Sequence, residues 1–208
     1  MEITRQTMAK FGVSTDGYAI SGTQSYQSPG VLSVEGDWSN GAFFLAAWAI
    51  GNDILVNNLN PESAQGDRAA VLWLEAMAQH CVIPAEDIPD LVPILAVAAA
   101  AKHGAVFTNV GRLRLKESDR IASTVGMLKQ LGICAEATED TLTVHPGAFS
   151  GGTVDAVNDH RIAMAAAIAA TIAHGPVKIC GAECVRKSYP GFWEEYKRLG
   201  GDYELYLR

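Results

Sequence analysis

The residues most capable of chemistry fall in a few short runs. RLRLKESDRI supplies Arg112, Arg114, Lys116, Glu117, Asp119 and Arg120. NDHRIAM supplies Asp159, His160 and Arg161, and VRKSYPGF supplies Arg186 and Lys187. IPD ends on Asp90, just ahead of a wholly apolar run. Arg grips carboxylates and phosphates through a two-pronged fork, so several such cations brought together would bind a small, multiply charged anion. Each cationic run is expected at the N-terminus of a helix, where free N–H groups and the helix dipole favour anions and disfavour Arg and Lys. Cations placed there make sense when an anion sits between them and the helix. The plainer reading is a solvated face with i,i+4 ion pairs. Lys116 and Arg120, a like-charge pair four residues apart, weaken it, because that pair costs stability on an exposed helix. Three residues carry two readings each. Asp90 reads as the N-cap of the apolar helix, or as a general base at the rim of an anion site. Glu117 reads as a first-turn acid stabilised by the dipole, or as a proton-exchanging group. His160 reads as structural, or as a hydrogen-bond donor.

The elements that must position these residues show a loose threefold repeat. Three segments begin at an acidic residue near a turn and run into an Ala-rich helix ending at Gly: Asp37 to Gly51, Asp90 to Gly104, and Asp159 to Gly175. Asp at the start and Gly at the end are standard helix punctuation. Each is followed by a β-rich run, DILVNN, AVFTNV or PVKICG, and then by a second helix: GDRAAVLWLEAMAQH, KESDRIASTVGMLKQLG or PGFWEEYKRLGG. A further strand is predicted after each, at CVI, ICAEA and YELYL. Alternating helices and strands predict an α/β fold with helices packed on sheets, the small Ala side chains letting helices approach closely. The opening MAKFGV resembles LKQLGI and YKRLGG at the ends of second helices, and strands are predicted at YAISG and around VLSVEG. The chain therefore reads as starting partway through a unit, with a longer protein as the expectation.

Composition narrows the function classes. The chain has 208 residues and is 49% hydrophobic, enough for a sizeable core, and its formal net charge of −7 argues against a general nucleic-acid binder. The cysteines Cys81, Cys134, Cys180 and Cys184 form no CxxC pair and no Cys/His set with zinc spacing, so they read as reduced, small apolar residues of a cytosolic protein. The start, MEITRQTMAKFG, lacks the apolar core of a signal peptide, and the longest apolar run, around Leu91–Ala101, is too short for a bilayer. No membrane role is expected.

Taken in order, IPD, LRLKESDRI, NDHRIAMAAA and RKSYPGFWE, together with VEGDWSNGAFFLAAWAI near the start, resemble the C-terminal half of EPSP synthases. The resemblance covers essentially the whole chain. It implies an inside-out α/β barrel lobe built of three repeated βαβαββ-type units, with residues 1–36 as the tail of a first lobe and residues 37–208 as the second lobe. It also implies transfer of the enolpyruvyl group of phosphoenolpyruvate to the 5-hydroxyl of shikimate 3-phosphate, with release of phosphate, in a cleft between two lobes. No metal or organic cofactor is implied. By motif, Asp90 matches the proton acceptor near the 5-hydroxyl and Lys116 a contact to shikimate 3-phosphate. Glu117 matches an acid/base group, and Arg120, Arg161 and Lys187 match the phosphoenolpyruvate grip, with His160 a hydrogen-bonding residue beside them. Some family members carry Asn where this sequence has Arg112, so that position receives no substrate role. The family's N-terminal segments that supply the first lobe's contacts, with a Lys-Ser pair and an Arg near the family's N-terminus, are not found in this sequence. The chain on its own is expected to turn over little and to need that lobe as its partner. Two other readings compete: half of the sister enzyme that acts on UDP-N-acetylglucosamine, and a non-catalytic binding module of the same fold.

Overall fold

The computed structural model describes residues 1–206. Three Ala-rich helices form its centre: α2 (Trp38–Ala49), α4 (Val92–Ala101) and α6 (His160–Ala170). Helices α4 and α6 bury almost all of their length and α2 buries half of its residues. In α4 every residue from Val92 to Ala100 is buried, and in α6 every residue from Ile162 to Ala169. A helix apolar on all sides must be wrapped on all sides. Here the three wrap one another, and the smallness of Ala permits that approach. Helices α2 and α6 run the same way. The Arg161 guanidinium, at the start of α6, lies 5.9 Å from the ring centroid of Phe43 in the middle of α2, and beyond the helix ends Asn52 Nδ2 donates to Thr171 Oγ1 at 3.0 Å.

Two sheets cover this bundle. Strands β1 (Cys81–Pro84), β2 (Ala105–Thr108), β3 (Ala135–Ala137) and β4 (Thr141–Val144) form one sheet in the order β1-β2-β4-β3. Strands β1 and β2 are parallel, with Cys81 opposite Ala105, and the β4 pairings are antiparallel. Strands β5 (Gly152–Asp155) and β6 (Val177–Cys180) form a second, parallel pair. A parallel pair needs a crossover. Helix α4 crosses from β1 to β2, and α6 from β5 to β6. Gly104 ends the first crossover at φ +75°, and a Cβ there would stand 2.7 Å from the Val144 carbonyl oxygen, so no other residue fits.

The expected second helices form as α3 (Ala70–Ala76), α5 (Arg120–Gln130) and α7 (Phe192–Arg198). The repeat is less regular than three equal units require. DILVNN shows the alternating exposure of a strand but hydrogen-bonds to no ladder among the described residues. YAISG contributes only an isolated bridge between Asp16 and Ala19, and VLSVEG is irregular. In YELYL, residues 203–206 form no strand and Leu207 lies outside the described residues. Period-two sequence is satisfied only when a neighbouring strand offers donors and acceptors, and among the described residues these runs meet no paired strand. Helix α1 (Glu2–Lys10) buries none of its residues. Glu35 ties the segment that follows it to the rest through Ser63, Gln65 and Asn60.

Candidate active site

The topology gathers the charged runs without special provision. Asp90 follows β1, RLRLKESDR follows β2, NDHR follows β5, and Arg186–Lys187 follow β6. All four therefore lie beyond the carboxyl ends of parallel strands, where open α/β sheets bind their ligands. The helix starts bring their backbone N–H groups to the same place.

Asp37 caps α2 by accepting from the Ser39 and Asn40 amides, and Asp159 caps α6 by accepting from the Arg161 amide at 2.9 Å. Asp90 does not cap α4. Leu91 occupies that position without a side-chain bond, and Pro93 in the first turn removes one of the amides a cap would serve. The Asp90 carboxylate is thereby free to meet cations. Its Oδ1 lies 2.5 Å from Arg120 Nη1 and 3.4 Å from Lys116 Nζ, and its Oδ2 lies 3.7 Å from Arg161 Nη2. The N-cap expectation for Asp90 is thus overturned. Lys116 also stands outside α5, in extended backbone after a 3-10 turn over Gly111–Leu115. The like charges of Lys116 and Arg120 are reconciled by the carboxylate between them, not carried on one helix face.

Arg120 is fully buried. Its Nε donates to Asp159 Oδ2 at 3.0 Å, its Nη2 to Asp159 Oδ1 at 3.4 Å and to Glu117, and its Nη1 to Asp90. Ser118 Oγ adds a bond to Asp159 Oδ2 at 3.0 Å. Burial alone would depress the Arg120 guanidinium, and Asp159 and Asp90 more than reverse that, fixing it as a cation. Burial likewise pushes the Asp90 carboxyl up, but Arg161, Arg120 and Lys116 together hold it below the usual carboxylate range. Asp90 is therefore ionised at neutral pH.

Arg161 is 6% exposed, and its Nε and Nη1 have no hydrogen-bond partner among the described residues. His160 Nδ1 beside it is buried and equally unpartnered. Burial and the neighbouring Arg161 charge hold the His160 imidazole below its ordinary range, favouring the neutral ring. Lys187 Nζ donates to the Asn158 carbonyl at 2.6 Å, so the β6 segment reaches the start of α6. It lies in a 3-10 turn over Ala182–Lys187, not at the N-terminus of α7 as expected. Arg114 turns aside, bonding Asp119 and the Thr138 carbonyl.

Asp90, Lys116, Glu117, Arg120, His160, Arg161 and Lys187 are thus assembled at one end of the helical bundle. One partner was read only as a charged helix start, and another escaped the sequence reading. Asp159 serves both as cap and as the buried counter-ion of Arg120, and Asp67 accepts from Ser39 Oγ beside the α2 start. Burial pushes the Asp67 carboxyl up, with the Ser39 bond opposing it. An Asp that doubles as cap leaves no distinguishing signal in sequence, and Asp67 stands in a run legible only as the start of a helix.

This architecture defines an α/β protein with a cationic, carboxylate-braced site at converging helix starts. Residues 1–196 match the family described as EPSP synthase (3-phosphoshikimate 1-carboxyvinyltransferase), and the chain belongs to that family. A relative named 3-phosphoshikimate 1-carboxyvinyltransferase from Clostridium kluyveri is 39% identical over 226 residues, covering 97% of this chain and 53% of the relative. One from Methanosphaerula palustris is 39% identical over 216 residues, covering 93% and 51%. A solved EPSP synthase from Acinetobacter baumannii superposes with a TM-score of 0.84 at 27% identity, over 98% of this chain and 55% of that one. The chain spans about half the length of the relatives it matches. Among the described residues no helix is long and apolar enough to cross a membrane.

Proposed function

We propose that this chain supplies one wall of an enolpyruvyl-transfer site, working on phosphoenolpyruvate and shikimate 3-phosphate. The observation that carries the reading is the buried, unpartnered guanidinium edge of Arg161. Unpaired buried donors cost about 1–3 kcal/mol each, a cost relieved when an anion takes them up. Phosphoenolpyruvate, with its carboxylate and phosphate, suits a site flanked by Arg161, His160 and Lys187. Arg120 joins that grip at its outer edge. Of its three carboxylate partners Glu117 is the most exposed, so its contact is the one an anion exchanges for.

Asp90 takes the proton from the attacking 5-hydroxyl, and Lys116 binds the shikimate 3-phosphate anion. The three cations that keep Asp90 ionised also weaken it as a base. An incoming anion neutralises part of that field and raises its basicity when substrate is present. As the 5-oxygen bonds to the central carbon of phosphoenolpyruvate, Glu117, displaced from Arg120, delivers a proton to the methylene carbon, and it takes one back from that carbon as phosphate leaves the adduct. The tetrahedral adduct keeps both anionic groups, and the fixed cations stabilise it. The other wall comes from a lobe equivalent to the part of the relatives that this chain does not cover. Residues 37–208 form the lobe that carries the site and residues 1–36 belong with the other.

The test is phosphate release from phosphoenolpyruvate plus shikimate 3-phosphate, with this chain alone and with the complementary half of the C. kluyveri relative added. The reading expects turnover only in the mixture, reduced about 10²–10⁴-fold by Asp90→Ala. Equal turnover by the chain alone, or an undiminished Asp90→Ala mixture, overturns it.

A further inference from the structure

Away from this site, the β3–β4 hairpin gathers three metal-ligating side chains, Cys134 and Glu136 from one strand and His145 from the end of the other. The strands pair Ala135 with Val144 and Glu136 with Thr143, and the His145 amide donates to the Cys134 carbonyl at 3.0 Å. Cys134 and His145 therefore stand opposite each other across the hairpin. Ala135, Leu142 and Val144 are buried, so period-two alternation turns Cys134, Glu136 and His145 to the outer face. Their ligand atoms all lie within 4.8 Å of one another, with His145 Nε2 at 3.4 Å from Glu136 Oε1.

We propose that this trio binds a transition-metal ion of the zinc class. A thiolate, an imidazole and a carboxylate form a donor set for Zn²⁺ or Co²⁺, whereas Ca²⁺ and Mg²⁺ take oxygen ligands. Bond lengths of about 2.0–2.3 Å to a tetrahedral ion place ligand atoms about 3.3–3.8 Å apart. The widest separation here closes by side-chain rotation alone, since all three residues are exposed. The backbone needs no movement. Ile133 is tied to the Leu128 carbonyl, the His145 amide to Cys134, and Gly147 to the Ala100 carbonyl, while Pro146 restricts His145 to extended backbone. The metal replaces the His145–Glu136 contact, clips edge strand β3 to β4, and leaves its fourth position to water. Sequence spacing conceals the set because Cys134 and His145 meet only once the hairpin forms.

The test titrates Co²⁺ into the chain held reduced by a phosphine, following absorbance. The expected result is a near-ultraviolet thiolate-to-cobalt band and visible d–d bands that saturate at one equivalent, with Zn²⁺ bleaching the visible bands. Cys134→Ser abolishes the near-ultraviolet band, His145→Ala weakens binding about tenfold or more, and Cys81→Ser with Cys180→Ser leaves it intact. Zn²⁺ also slows alkylation of Cys134, read by mass spectrometry. No thiolate band at saturating Co²⁺, or a band that survives Cys134→Ser, overturns the proposal. The metal-free Cys134→Ser chain keeps the wild-type circular dichroism, so loss of the band reads as loss of a ligand.

Discussion

Helices α5 and α6 each carry a buried arginine in the first turn, and the two are treated in opposite ways. Arg120 opens α5 with its guanidinium divided among Asp159, Asp90 and Glu117. Arg161, at the second position of α6, has one distant carboxylate at 3.7 Å, an aromatic ring, and two unpartnered nitrogens. Both sit where the helix dipole opposes a cation. The first is compensated from within the chain and acts as a knot holding three loops together. The second is left with binding capacity, which is the mark of a ligand site. The same residue type at the same kind of position thus serves mainly architecture in one helix, lending a ligand only the edge that faces Glu117, and recognition in the next.

The largest effect that could break this contrast is on stability. Arg120→Met strands the buried carboxylate of Asp159, and urea denaturation should show a loss of about 3–5 kcal/mol. A much smaller loss would mean that the knot is not structural. Asp37→Ala removes a cap that accepts only from backbone amides and the Asn40 side chain, and should cost about 1 kcal/mol, setting the scale for a helix start without a buried cation. Arg161→Gln should not lower stability, because it removes two buried donors that have no partner in the folded chain.

The smallest effect concerns pH. The folded state holds His160 below its ordinary value of 6.5, so the unfolded chain binds the extra proton first. The neutral ring's contribution is present above that value and is lost as the pH falls through it. In His160→Gln the unfolding midpoint should depend less on pH between neutrality and mildly acidic conditions. A wild-type midpoint that rises on acidification through this range would have the wrong sign.

Much of this was legible before any coordinates. Asp37 and Asp159 start their helices as read, and the Ala-rich pattern foretold a packed helical centre, because punctuation and composition act locally. The strands were less legible. DILVNN and AVFTNV look alike, yet only the second finds a ladder, since pairing depends on a partner that a single segment does not encode. The charged runs were identified, but their partition was not. That Asp90 faces cations follows from Pro93 and Leu91 taking over the helix start, and that Arg120 has a buried counter-ion follows from β5 bringing Asp159 across to it. The sequence pointed to the charged runs, while the fold decided how they pair and which cation keeps a free edge.

The measurement that tests this division most directly is a titration of phosphoenolpyruvate into the wild-type chain and Arg161→Gln, followed by amide chemical shifts. The account predicts saturable shifts at the start of α6 in the wild type. It predicts affinity about tenfold weaker, about 1.4 kcal/mol, in Arg161→Gln with its unfolding midpoint preserved. Equal affinity in the two proteins, or shifts confined to another face, would contradict it.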